Sequence, residues 1–135
     1  MPTAGRCSGD ERAMGSRGRK ILCIEDEPDT CEMFQVVLPE FEMVSATSRA
    51  EGVRLAREHK FSLIFLDYYL PDGTGDEVCG MIRTFDQRTP ILFVTGSRSL
   101  TEQMARSIGA QGTVKKASPI FIEQIKARTM QLALP

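Results

Sequence analysis

Three short runs of apolar residues constrain the fold of this 135-residue chain more than any other feature. They are ILCI at 21–24, LIFL at 63–66 and ILFV at 91–94. A strand that alternates polar and apolar residues has one wet face, whereas an uninterrupted apolar run suits a strand that is buried on both faces. Such strands occur mainly in parallel sheets covered by helices on each side. The runs therefore predict the central strands of a parallel sheet.

The rest of the chain alternates between strand-like and helix-like segments. The predicted strands cover residues 20–24, 42–46, 61–66, 90–95 and 112–115. Five helices are predicted. Two are indicated by apolar faces, one made by Phe34, Val37, Leu38 and Phe41 and the other by Val78, Met81, Ile82 and Phe85. The other three cover residues 48–60, 99–109 and 119–133. Helix starts are indicated by the pairs Ser48–Glu51, Ser99–Glu102 and Ser118–Pro119. This order predicts an α/β fold, a doubly wound (βα)5 parallel sheet of five strands, with the more mixed strand at 42–46 on an edge.

Composition and charge limit the possible functions. Residues 1–18 have no periodicity, so we expect a disordered N-terminal extension before a single domain at 19–135. Residues 1–20 carry a net charge of +3 and the remainder −4, which argues against nucleic-acid binding through a basic face. The chain has neither a membrane-length apolar run nor a secretory signal, so a cytoplasmic location is expected. The four cysteines form no C-x-x-C pair and are predicted to be free thiols.

Polar residues follow the predicted strands at their carboxyl ends. They are Glu25, Asp26, Asp67, Thr95 and Lys116. In a doubly wound sheet these ends meet at one edge, where ligands bind. Three carboxylates without a neighbouring Cys or His favour a hard cation, Mg²⁺. A carboxylate beside Mg²⁺ can act as a nucleophile toward phosphorus, while a hydroxyl and an ammonium group bind the phosphoryl oxygens.

The loop after Asp67 supports this interpretation. Pro71 and Gly73 restrict the turn, so that a main-chain carbonyl just after the aspartate, that of Tyr69, can face the metal. Two adjacent lysines leave a choice of register, and strand alternation from Val114 favours Lys116.

The motifs ILCIEDEP, LIFLDYYLPDGTG, ILFVTGS and GAQGTVKKASP together resemble the receiver domain of two-component response regulators, over about residues 19–135. The resemblance implies a flavodoxin-like sheet with strand order 2-1-3-4-5. It implies that Asp67 is the phosphoacceptor, that Thr95 and Lys116 contact the phosphoryl group, and that Mg²⁺ is held by Asp26, Asp67, the Tyr69 carbonyl and, through water, Glu25. The donor would be the phosphohistidine of a histidine kinase or phosphotransfer protein. The chain would assist its own phosphorylation and dephosphorylation rather than act as an enzyme on other substrates.

The sequence departs from the family pattern at Ala117, at the adjacent lysines Lys115 and Lys116, and at Thr113. Ala117 stands where proline usually follows the lysine, and Thr113 stands where an aromatic switch residue is common. The usual coupling between Thr95 and that aromatic is therefore not expected here, and output would rely on another movement. Tyr69 is a bulky residue two positions after the acceptor, and we expect it to hinder attacking water.

Two other functions stay open at this point. A Mg²⁺-dependent phosphohydrolase would need an acid at position 69, where this chain has tyrosine. A pseudo-receiver would act as a phosphorylation-independent protein-interaction module. We expect no DNA-binding or enzymatic output domain after the last helix, so the chain would be a stand-alone receiver, a phosphorelay intermediate, or a receiver cut from a larger protein. The predicted helix at 119–133 has more apolar residues than one narrow stripe needs, which fits core packing, a partner surface or a homodimer. Neither nucleic acid nor membrane is an expected partner.

Overall fold

The structure is a computed structural model that describes residues 19–133, so the predicted disordered extension at 1–18 lies outside the described residues. Strands and helices alternate along the chain. In order they are β1 (Lys20–Ile24), α1 (Pro28–Val37), β2 (Glu42–Ala46), α2 (Arg49–Glu58), β3 (Leu63–Leu66), β4 (Tyr69–Leu70), β5 (Gly73–Thr74), α3 (Gly75–Arg83), β6 (Ile91–Thr95), α4 (Glu102–Ile108), β7 (Gly112–Lys115) and α5 (Phe121–Leu132). No helix within residues 19–133 is both long and apolar enough to cross a membrane.

Five of the strands form one sheet in the order β2-β1-β3-β6-β7, and every neighbouring pair is parallel. Strands β4 and β5 pair with each other as a two-residue antiparallel hairpin outside this sheet. If only the five strands of this sheet are numbered along the chain, their order is 2-1-3-4-5. The α/β fold class and the edge position of the strand at 42–46 are therefore confirmed.

The core consists of two layers, one on each face of the sheet. Alternate residues of β1, β3 and β6 point to opposite faces, and all of them except Lys20 are buried. Helices α2, α3 and α4 cover one face through residues such as Val53, Val78 and Ala105. Helices α1 and α5 cover the other through residues such as Phe34 and Ile125. The uninterrupted apolar runs are thus explained, because each central strand has helices on both sides.

Two predicted helix faces differ from what the structure shows. Helix α1 ends at Val37, because Pro39 restricts Leu38 to a non-helical conformation with φ −127° and ψ 63°. Phe41 is buried in the same cluster as the helix but reaches it from the following loop. On α3, Met81 is 42% exposed, so it belongs to the outer face and not the core.

The predicted start of α4 was wrong by two residues. Thr101, not Ser99, caps the helix, and its hydroxyl oxygen accepts a hydrogen bond from the Met104 amide at 3.1 Å. The Ser99 hydroxyl lies 3.1 Å from that of Ser97 instead. The predicted stop was right, because Gly109 ends the helix with φ 119°, a conformation that favours glycine.

Glu102, at the start of α4, joins three elements. Its carboxylate accepts hydrogen bonds from the Thr113 amide on β7 at 3.0 Å and from the Arg128 guanidinium on α5 at 3.2 Å. Partial burial alone would raise the pKa of Glu102, but these two hydrogen-bonding partners outweigh burial and lower it. The charged Glu102 carboxylate therefore holds α4 against β7 and α5.

Helix α5 begins two residues later than predicted, at Phe121, and the Ser118 hydroxyl accepts a hydrogen bond from the Ile120 amide before it. Ile125 is fully buried, whereas Ile120 and Met130 are 52% and 39% exposed. Phe121 and Leu132 are partly buried against the same core cluster as Ile125. A homodimer through the exposed residues stays a prediction.

The expectation of free thiols was wrong for two cysteines. Cys23 on β1 and Cys31 on α1 are joined as a disulfide, with their Cα atoms 6.1 Å apart. Cys79 is free and buried on the opposite face of the sheet, while Cys7 lies outside the described residues. The pairing has no C-x-x-C signature because it forms across a strand–helix contact, where the packing of α1 on the sheet brings the two sulfurs together.

Candidate functional site

Three carboxylates meet at one edge of the sheet. Glu25 and Asp26 follow β1, and Asp67 follows β3, which is the neighbour of β1. The Asp67 amide donates a hydrogen bond to the Ile24 carbonyl at 3.0 Å, so the two strand ends are held level. One oxygen of each carboxylate lies within 4.8 Å of the others. Glu25 and Asp67 are 3% and 8% exposed, whereas Asp26 faces solvent.

Lys116, which follows the edge strand β7, contacts two of these acids. The Lys116 Nζ lies 2.7 Å from Glu25 Oε1 and 3.4 Å from Asp67 Oδ2. Its amide donates to the Thr95 carbonyl at 2.9 Å, which keeps the end of β7 level with the end of β6. The adjacent Lys115 instead donates to main-chain carbonyls of the loop after β6. Successive side chains of a strand leave it in different directions, so only Lys116 contacts the carboxylates.

The charges of the cluster are poorly balanced. Burial raises the pKa of Glu25 to about 7, a shift that the hydrogen bond from Lys116 opposes and the negative charge of Asp67 reinforces. Burial alone would lower the pKa of Lys116, but the hydrogen bond to Glu25 and the charge of Asp67 outweigh it and raise that pKa. One ammonium group faces three carboxylates, so the cluster would gain from a further cation.

The donor set fits Mg²⁺. It contains only carboxylate oxygens, it lies at the rim of the sheet, and one of its acids is open to solvent. Hard divalent cations prefer such oxygen ligands, and Mg²⁺ retains several waters, which an open rim allows. The close approach of the three acids is costly without a cation and favourable with one.

The remaining two predicted site residues lie at the same edge but outside this cluster of contacts. Thr95 ends β6 next to β3 and is fully buried, and its hydroxyl oxygen accepts a hydrogen bond from the Ser97 amide at 3.0 Å. Tyr69, two residues after Asp67, lies in the β4–β5 hairpin and is 59% exposed. The role of the Tyr69 carbonyl as a metal ligand stays a prediction.

Sequence reasoning missed two residues that position this site. A Cβ atom on Gly75, the first residue of α3, would lie 2.5 Å from the Asp67 carbonyl oxygen and 2.7 Å from the Phe93 ring. Only glycine therefore lets α3 pack against the acceptor strand so closely. Lys115 donates hydrogen bonds to the carbonyls of Ser97, at 2.6 Å, and Leu100. The only sequence signal for it was the doubled lysine.

Comparison with known proteins agrees with the fold. The family model for the response regulator receiver domain matches residues 21–129. An uncharacterized transcriptional regulatory protein of Bacillus subtilis strain 168, YkoG, is 36% identical over 112 residues, which cover 80% of this chain and 48% of that protein. The cell cycle response regulator CtrA of Brucella ovis is 27% identical over 111 residues, covering 81% and 47%. The chain thus spans about half the length of these relatives.

Solved structures lead to the same family. A two-component response regulator from Clostridium difficile is 26% identical with a TM-score of 0.74, covering 84% of this chain and 94% of that one. The non-phosphorylated HemR receiver domain of Leptospira biflexa is 26% identical with a TM-score of 0.74, covering 85% and 94%. The response regulator TrrA of Thermotoga maritima, solved in complex with Mg²⁺ and BeF, is 24% identical with a TM-score of 0.74, covering 84% and 98%. The family match over most of the chain shows that this protein belongs to the response regulator receiver domains.

Proposed function

We propose that the chain is a phosphoryl-accepting signalling switch and that Asp67 is its acceptor. The observation that carries this proposal is the joint placement of three carboxylates and Lys116 at the carboxyl edge of the sheet, with Lys116 contacting both Glu25 and Asp67. An acid cluster alone is common, but a buried acid with an ammonium group 3.4 Å from its oxygen suits a reaction that brings negatively charged phosphoryl oxygens to that acid.

The donor is a phosphohistidine of a histidine kinase or a phosphotransfer protein. A carboxylate oxygen of Asp67 attacks the phosphorus atom, the bond between phosphorus and the imidazole nitrogen breaks, and that nitrogen leaves with the electron pair. Lys116 stabilises the negative charge on the transferred group, and the Thr95 hydroxyl donates its proton to one of the phosphoryl oxygens while its own oxygen accepts from the Ser97 amide. The resulting aspartyl phosphate is an acyl phosphate that water hydrolyses, so the chain promotes only its own phosphorylation and dephosphorylation.

Glu25, Asp26, Asp67 and the Tyr69 carbonyl would hold Mg²⁺, as an acidic oxygen cluster at an open rim suits that ion. The bound ion would neutralise charge on the phosphoryl oxygens. The fold neighbour TrrA was solved with Mg²⁺ and BeF, which agrees with this choice of cation. Phosphorylation then changes the binding of a downstream protein partner.

The test is the intact mass of the protein after incubation with acetyl phosphate, with and without Mg²⁺. We expect one added phosphoryl group that requires Mg²⁺ and is lost in Asp67→Asn. Asp29→Asn, at an exposed aspartate in the first turn of α1, is the matched control and should be phosphorylated normally. If no group is added although Mg²⁺ binds, the chain is a pseudo-receiver that acts as an interaction module, and Asp67 is not an acceptor.

A further inference from the structure

The disulfide between Cys23 and Cys31 encloses the acid-bearing loop of the site. The two cysteines are eight residues apart, and Glu25 and Asp26 lie between them. Cys23 is 1% exposed and Cys31 is 3% exposed, so the bond lies inside the layer between the sheet and α1. A Cα separation of 6.1 Å is within the ordinary range for disulfides, so the backbone needs no rearrangement to form it.

The other restraints on the loop between the two cysteines act mainly at Glu25, whose carboxylate accepts hydrogen bonds from Lys116 Nζ at 2.7 Å and from the Glu27 amide at 3.3 Å. The Glu25 amide donates to the Ala46 carbonyl at 2.9 Å, which fixes the end of β1. Beyond that point, the first residues are exposed, and Glu27 at the helix start provides no side-chain cap. The Thr30 amide, 3.1 Å from the Glu27 carbonyl, begins the helical hydrogen bonds. A covalent link from Cys31 back to β1 therefore restricts how far the loop can open.

The same backbone also accommodates the reduced pair. The Cys31 Sγ lies 3.7 Å from the Cys23 carbonyl oxygen, so a thiol at Cys31 has a hydrogen-bond acceptor in place. The exposed stretch at 26–29 gives a small reagent a route to the sulfurs when the start of α1 opens. Cys79 cannot exchange with the pair, because it is buried on the other face of the sheet.

We propose that Cys23 and Cys31 are a site of reversible oxidation, whose disulfide restricts the loop that carries Glu25 and Asp26. With a small disulfide such as oxidised glutathione, one cysteine thiolate attacks and releases one glutathione thiol. The second cysteine thiolate then attacks the protein sulfur of the mixed disulfide and releases another. The balance is one protein dithiol plus one glutathione disulfide giving one protein disulfide plus two glutathione thiols. In a thiol-rich compartment the pair stays reduced until the oxidant accumulates.

The bond itself is tested by mass spectrometry without any phosphoryl donor. Trypsin leaves residues 21–49 as one peptide with both cysteines, since no Lys or Arg lies between Lys20 and Arg49. After oxidation with glutathione disulfide and alkylation, we expect this peptide to be lighter by two hydrogen atoms and unalkylated. Reduction with a dithiol should restore two alkylation sites. Cys31→Ala should abolish the change, and Cys79→Ala, a buried cysteine on the opposite face, should not.

The restriction of the loop is tested by hydrogen exchange on the wild-type protein in both redox states. Closing a loop of this size should slow exchange at residues 25–31 by about tenfold or more and raise the Tm by about 5–10 °C. Residues 75–83 of α3 should exchange equally in both states below the unfolding transition. A peptide that stays fully alkylated after oxidation, or equal exchange at 25–31 in the two states, would overturn the proposal.

A Mg²⁺ titration separates this proposal from the proposed function. A restricted loop loses less freedom on binding, so we expect the oxidised form to bind Mg²⁺ about threefold to tenfold more tightly. Equal affinities would show that the bond does not act on the acids, which would also overturn the proposal. If Mg²⁺ binds neither form, the proposed function fails, while the mass and exchange results still decide whether the oxidation site exists.

Discussion

Gly75 offers the sharpest test of how the acceptor strand is positioned. A Cβ atom at residue 75 would lie 2.5 Å from the Asp67 carbonyl oxygen, 2.7 Å from the Phe93 ring and 3.0 Å from the Tyr68 Cα. Two of these three neighbours are main-chain atoms, so they cannot turn away as a flexible side chain would. Gly75→Ala must therefore shift either the start of α3 or the chain around Asp67.

The expected magnitude follows from the cost of overpacking a well-packed site, about 1–3 kcal/mol. For a domain of this size, that corresponds to a Tm lower by about 4–12 °C. Gly80→Ala is the matched control on the same helix, because a Cβ there meets nothing within 4 Å. Removing a glycine from an exposed helix interior should stabilise the protein by about 0.5–1 kcal/mol.

Both variants are measured by thermal and urea unfolding followed by circular dichroism, and then by phosphorylation with acetyl phosphate. Gly75→Ala should unfold more easily and also accept phosphate more slowly, because Asp67 is displaced. Gly80→Ala should unfold less easily and react normally. A Gly75→Ala protein as stable and as reactive as the wild type would refute the close packing of α3 on the acceptor strand.

Three further predictions concern other parts of the site and its surroundings. Lys115→Met should leave the loop carbonyls of Ser97 and Leu100 without their donor, so hydrogen exchange in the loop after β6 should rise at least about threefold; unchanged exchange would show that the lysine does not hold this loop. Folding lowers the pKa of Glu102, so the charged carboxylate stabilises the folded protein. This stabilisation is complete above the pKa of the unfolded chain, about 4.3, and it is lost as the pH falls through the lower pKa of the folded state. The stability difference between wild type and Glu102→Gln in urea should therefore be larger at pH 7 than at pH 3, and a constant difference would contradict this role. Tyr69→Asn should shorten the lifetime of the phosphorylated form by a fewfold, measured as loss of phosphoryl mass over time, and an unchanged lifetime would remove the idea that the exposed ring hinders water.

The helices show where reading the sequence succeeded and where it did not. Apolar periodicity located α1 and α3, and capping signals located α2, α4 and α5, because both kinds of signal are properties of the local sequence. The cap of α4 was misassigned because both Ser99 and Thr101 are good capping residues. The choice depended on Glu102, which is held by the Thr113 amide and Arg128 and so is unavailable to complete a capping box. Contacts with distant strands and helices decided the boundary.

The site was predictable to a similar degree. Glu25, Asp26, Asp67 and Lys116 follow strands that end at one edge, so their approach followed from the parallel alternation of strands and helices. The alternation of side chains along β7 also indicated which lysine contacts the acids. The positioning roles of Gly75 and Lys115 were not visible, because both depend on distances between elements.

The sequence by itself determined the alternating pattern, the buried central strands and the identity of the polar residues at their ends. These are encoded locally, in runs and periodicities of a few residues. Only the tertiary structure decided that Cys23 meets Cys31, that Gly75 touches the main chain of Asp67, and that Glu102 joins α4 to β7 and α5. Each of these contacts depends on how one element packs on another to within about an ångström, and close packing is a property of the assembled core rather than of any segment.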